Sequence, residues 1–186
     1  METNYINRSL TDIEIFIMGL KTEDSRNQKR MNQTEQLMWG VSVIYVFIIA
    51  LKFIMNTPWF EKLGGILTLV ALVAFALIFR NYYKEYKSVD YGIPTIKMLQ
   101  KAAIRNGLLQ SRGLYILAPL ILEGIGLNLM MFGNFAGLDP LYRILIFQMS
   151  YFFLVAIACL IGHFYWKKHQ KPIRDHALAL LKEIES

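Results

Sequence analysis

Two charged residues lie well inside apolar runs, away from their starts, where a bilayer makes charge expensive, and they are the first candidates for chemistry. Lys52 belongs to the run 37–57 and Glu123 to the middle of the run 113–133. An ionisable side chain at membrane depth reads by default as a functional site with a partner to be named. At 1.5 Å per residue, Glu123 falls about 15 Å and Lys52 about 22 Å from the start of its run. Tyr45, Lys52 and Asn56 share one helical face, and Pro119, Glu123, Gly126 and Met130 share another. The spacing therefore allows a Lys52–Glu123 pair, with Asn128 as a further hydrogen-bond partner, as a candidate intramembrane polar site. Two simpler readings stand beside it: Lys52 snorkels toward the outer boundary, and Glu123 is satisfied separately.

Other reactive residue types are sparse. His163, His169 and His176 are spaced by six and seven, which does not align imidazoles on one helix turn as a metal pair requires, so no metal site is expected. The lone Cys159 rules out a disulfide framework and reads as a packing residue. No H-E-x-x-H, G-x-S-x-G, phosphate-cradling glycine loop or CxxC pattern occurs, so neither an enzyme nor a cofactor is expected. The basic charge accompanies no nucleic-acid fold motif, so nucleic acid is not an expected partner. The sequons at Asn7 and Asn32 fall in a segment expected on the inside of the membrane, where they carry no meaning.

The elements that must position these residues are membrane spans. Of 186 residues, 55% are hydrophobic and only 18% charged, against about 25% charged in ordinary soluble domains. Mean hydropathy is +0.35 and the formal charge +6. Four apolar runs, 37–57, 63–79, 113–133 and 141–166, are long enough for helices across a core of about 30 Å. None has the layout of a cleaved signal peptide. Basic residues set the orientation. Five lie in the N-terminal segment 1–36, seven in the loop 80–112 and five in the tail 167–186, whereas only Lys62 and Arg143 flank the opposite turns. Both termini and the loop are therefore expected in the cytoplasm. Trp39 and Trp166 mark the inner boundary, and Trp59 and Tyr142 the outer. The predicted fold is all-α: an integral four-helix up-down-up-down bundle with amphipathic cytoplasmic helices.

Small residues should set the packing, because lipid supplies no hydrophobic drive between helices. Gly126 and the Ala158-x-x-x-Gly162 pattern are the candidate packing positions, within the monomer in preference to a homo-oligomer seam.

The cytoplasmic segments are patterned. Thr11-Asp-Ile-Glu14 has capping-box spacing, and Leu10, Ile13, Phe16, Ile17 and Leu20 recur on one face, widened by Ile15 and Met18. Pro94 suits a helix start, after which Ile96, Leu99, Ala103 and Leu108 favour one face. Lys97, Lys101 and Arg105 step by four along another, a surface expected to meet acidic lipid headgroups or an acidic protein. Pro172 can open a tail helix whose apolar face is Ile173, Ala177, Leu180, Leu181 and Ile184. Such helices can pack on each other, lie in the interface or dock a partner.

The stretch Tyr82-Tyr-Lys-Glu-Tyr-Lys-Ser-Val-Asp-Tyr91, set between two pairs of spans, resembles the basic loop of small uncharacterised four-span inner-membrane proteins of Bacteroidota. Some of those are encoded beside sigma factors of the extracytoplasmic-function class. The resemblance implies a bacterial inner-membrane location and a regulatory role, and it carries over no site residues. The leading expectation is a non-enzymatic regulatory or scaffolding protein acting through its cytoplasmic helices on a protein partner. The alternatives are a small transporter or channel subunit using Lys52 and Glu123, and a membrane-embedded immunity protein.

Overall fold

The structure, a computed structural model, describes residues 2–108, 111–131, 137 and 139–185, with side-chain surroundings for 13–108, 114–131, 137 and 139–184. Five α-helices follow in order: α1 (Glu2–Ile54), α2 (Trp59–Lys87), α3 (Thr95–Arg105), α4 (Leu117–Met131) and α5 (Pro140–Glu185). A 3-10 segment, Ser111–Ile116, leads into α4, and the described residues contain no strand. Four of the helices are long and apolar enough to cross a membrane, the third of them counted from Leu114 to Met131.

Two helices run further than their sequence signals suggest. The Thr11–Glu14 spacing lies inside α1, because residues 21–36 contain neither glycine nor proline to stop the helix. Likewise α5 passes through Pro172 instead of restarting there. A proline inside a helix loses one backbone bond and costs about 3 kcal/mol. Burial of Ala177, Leu180 and Leu181 just beyond it offsets that loss. α1 stops where Asn56 takes φ 49°, a left-handed conformation that asparagine tolerates at a helix end. Thr57 then caps the helix, its N–H and hydroxyl both donating to the Lys52 carbonyl, at 3.3 and 3.1 Å.

The chain divides into two compact units. The first comprises Met1–Met31, Tyr82–Gln110 and Phe164–Ser186. Its apolar core joins Phe16 and Leu20 of α1, Met98, Leu99 and Ala102 of α3, and Ala177, Leu180 and Leu181 of α5. Of the three fates open to these segments, packing on one another is the one observed. The faces are narrower than expected. Ile15 and Met18 are exposed, as are Ile96, Leu108 and Ile184, and the buried side of α3 is Met98, Leu99 and Ala102.

The second unit comprises Asn32–Asn81 and Ser111–His163. Its tightest seam joins α2 to α4. A methyl placed on Gly64 would lie 2.5 Å from the Met130 nitrogen, and one on Gly126 2.8 Å from the Thr68 nitrogen. Only glycine lets two helix backbones approach this closely, so the packing role expected of Gly126 is the one it fills. The Ala158/Gly162 stripe behaves differently. Both residues are exposed, and a methyl on Gly162 would meet nothing within 4 Å. Among the described residues, nothing packs within the monomer at Gly162, contrary to the expectation for this pattern. The most apolar stretch of α5 has no buried residue at all.

Candidate functional site: a buried polar junction

The core face of α1 does not end with its apolar residues. Phe16 and Leu20 are followed in the same register by Asp24 and Asn27, which keep facing inward although the chain has turned polar. Asp24 is 2% exposed and Asn27 1%. A buried carboxylate must be paired to be tolerated, and the partner of Asp24 comes from α3. Arg105 donates from a terminal nitrogen to Asp24 Oδ2 at 2.5 Å, and the Tyr91 hydroxyl donates to the same oxygen at 2.8 Å.

The next residue, Asn106, ends α3 and is equally buried. Its amide donates to the Ala102 carbonyl at 2.9 Å, while its own carbonyl accepts from Trp166 Nε1 at 2.9 Å. Beside Trp166, the Tyr165 hydroxyl contacts Glu23 Oε1 at 3.1 Å and Asn27 Oδ1 at 3.4 Å. The links close a ring: Asp24 to Arg105, Asn106 to Trp166, Tyr165 to Asn27, and one helical turn back to Asp24. Three segments far apart in sequence are thereby held in one register.

The aromatic rings around this ring of polar contacts already carry the chain's own cations. Lys21 lies over Tyr91, Arg30 over Tyr165, Arg105 near Tyr86 and Arg174 over Trp166, at 5.3, 4.2, 5.9 and 5.3 Å to the centroids. Burial raises the Asp24 carboxyl above its ordinary range, with the Arg105 charge and the Tyr91 hydrogen bond opposing. Burial also pushes the Tyr86 phenol up to about 12, and the nearby Asp24 charge adds to it. Tyr91 is raised by burial and by its bond to Asp24. Tyr86 and Tyr91 therefore serve as a neutral ring face and a neutral donor, not as bases.

Arg105 corrects an expectation. Its spacing from Lys97 and Lys101 predicts one outward stripe, but only the two lysines are exposed. A step of four residues overshoots a helical turn by about 40°, so two steps carry the third residue about 80° around, toward the core side. The acidic neighbour anticipated for this residue is Asp24 of the same chain.

The intramembrane candidates are also rearranged. Lys52 Nζ binds Glu61 Oε2 at 2.6 Å, a mostly buried pair linking the end of α1 to the first turn of α2. Glu61 is nine residues away and close through the turn, so the Lys52–Glu123 pair that the spacing allows is not formed and each residue has its own partner. The Glu123 carboxylate instead lies 3.5 Å from the Tyr151 hydroxyl, which donates to the Leu120 carbonyl at 2.7 Å. Asn128 donates to the Gly124 carbonyl at 2.8 Å and to Gln148 Oε1. Glu123 and Asn128 thus belong to an α4–α5 contact, where Tyr151 and Gln148 pack over Gly124. Lys52 is not part of it.

Among the described residues, no group of three or more His, Cys, Asp or Glu side chains is arranged to hold a metal ion. His176 stacks on Phe16 and His169 on Tyr165, with centroids 5.1 and 4.6 Å apart. Cys159 is exposed. No protein-family model, curated protein or solved structure matches the chain.

Proposed function

We propose that this chain is a non-enzymatic multi-pass protein of a bacterial inner membrane that acts as a regulatory or scaffolding partner of another protein. Its spans cross as an up-down-up-down bundle with both termini in the cytoplasm, and its first compact unit is the cytoplasmic working part. The observation that carries the reading is the convergence of three separate segments into one folded unit. Each of them carries five of the basic residues that mark the cytoplasmic side. A helical unit with its own core and a buried ion pair is a rigid platform, and exposed Met18 and Leu178 give it apolar points of contact.

The test is co-purification of the full chain from its own membranes in mild detergent, beside Met18→Asp and Leu178→Asp. Both side chains are exposed, so both variants should fold. A protein partner recovered with the native chain and lost with the variants supports the reading. Recovery of nothing above a mock preparation overturns it.

A transporter or channel role would centre on Glu123 and Tyr151, the acid–phenol contact between α4 and α5. It predicts that Glu123→Gln alters a flux in reconstituted vesicles. The loss of Lys52 to Glu61 leaves that reading without the charge pair it began with.

A further inference from the structure

α3 carries its charge and its exposed apolar surface on the same side. At about 100° per residue, Lys97, Lys101 and Ile104 fall within about 60° of one another, opposite buried Leu99 and Ala102. Ile104 stands at the outermost line of the helix and is 73% exposed. A helix facing water would place a polar residue there. The helix has two lysines and one arginine and no acidic residue. Leu108, just past the helix end, is exposed as well. Eight residues of sequence lie between Arg105 and Leu114, where the third candidate span begins, a contour of at most about 30 Å.

We propose that the outward face of α3, formed by Lys97, Lys101 and Ile104 and extended by Leu108, rests on the bilayer surface, with the lysines on anionic headgroups and the apolar side chains at the acyl boundary. Lysine flanking exposed isoleucine and leucine, on a helix with no acid, is the composition that binds an anionic leaflet. The consequence is that α3 reports on the membrane. Its other face holds Asp24 and Trp166 through Arg105 and Asn106, so anionic lipid content at one face bears on the polar junction at the other. The inference rests on the membrane part of the function proposed above, and it holds whether or not a protein partner exists.

The test places a nitroxide at Ile104→Cys in a Cys159→Ser background, with the full chain in nanodiscs of neutral lipid or with added phosphatidylglycerol. Accessibility to oxygen and to a water-soluble nickel chelate is then compared. A label at Ile161→Cys, exposed in the apolar stretch of α5, is the membrane reference, and one at Ser25→Cys is the aqueous reference. The expected result is an Ile104 label favouring oxygen several-fold over the Ser25 label when anionic lipid is present. Lys97→Glu with Lys101→Glu should abolish the preference. Nickel access at Ile104 equal to that at Ser25 in both lipids overturns the proposal. So does protection from both reagents that persists in detergent, which would mean that protein covers the face. If the Ile161 label itself were open to nickel, the membrane reading would fail, an outcome separate from failure at Ile104 alone.

Discussion

Removing Asp24 should damage the protein more than removing its partner. The Asp24 and Arg105 side chains are 3% and 10% exposed, so the pair is effectively withdrawn from water. Deleting one member of a buried pair leaves the other charge uncompensated, at about 3–5 kcal/mol. The two deletions are not equivalent. In Asp24→Ala the guanidinium cannot discard its charge, and the Tyr91 hydroxyl loses its acceptor as well, adding about 1 kcal/mol. In Arg105→Met the carboxyl can take a proton, and burial already favours the protonated form. Asp24→Ala should therefore cost about 4–5 kcal/mol and Arg105→Met less, while the double variant should cost well below the sum. The pH dependence follows from the same group. A carboxyl raised above its unfolded value contributes stability that is fully present below the unfolded value and lost as pH rises through the folded one. Relative to Asp24→Asn, the native unit should gain stability as pH falls from neutral toward 3.8, the ordinary Asp value. The assay is thermal unfolding in detergent, followed by the fluorescence of Trp166, which is bonded to Asn106, with Trp39 and Trp59 replaced by Phe. Additive costs, or Asp24→Ala changing stability by under about 1 kcal/mol, would refute the reasoning.

Further substitutions test the second unit. Gly64→Ala should cost about 3 kcal/mol or more, because the methyl would sit 2.5–2.6 Å from the Met130 nitrogen and Gly126 oxygen, which are backbone atoms. Gly162→Ala should be neutral in the same thermal assay, since the space there is open. Lys52→Met alone should destabilise by about 3 kcal/mol, and Lys52→Met with Glu61→Leu should recover most of the loss. Equal effects of Gly64→Ala and Gly162→Ala, or no recovery in the Lys52/Glu61 double variant, would count against the packing described.

The spans were legible because an apolar run of about 20 residues is a signal carried by composition alone. The apolar residues that build the core of the first unit were partly legible: Phe16, Leu20, Leu99, Ala177, Leu180 and Leu181 are buried in the register their spacing predicts. Met98 and Ala102 were missed because the expected face took in Ile96 and Ala103 on one side of Leu99, whereas the buried side lies on the other; four-step drift around the helix carried Arg105 inward. The polar junction was not singled out. Asp24 and Asn27 sit in a stretch that reads as solvated, and the only clue was that they continue the Phe16–Leu20 face. Asn106, Tyr165 and Trp166 meet only because three distant segments converge, and neither local spacing nor hydropathy encodes that convergence. Lys52 could be placed at the end of its span, but its choice of Glu61 over Glu123 depends on the turn at Asn56, which helical-face arithmetic ignores.

The most direct test of the central claim is photocrosslinking in cells, with a photoreactive residue at Met18 or Leu178 on the exposed side of the first unit, followed by mass spectrometry. A discrete protein adduct at one or both positions, abolished when Asp24→Ala dismantles the junction, is the predicted result. Adducts confined to lipid and to the chain itself, unchanged by Asp24→Ala, would contradict the claim that this unit is built to hold a partner.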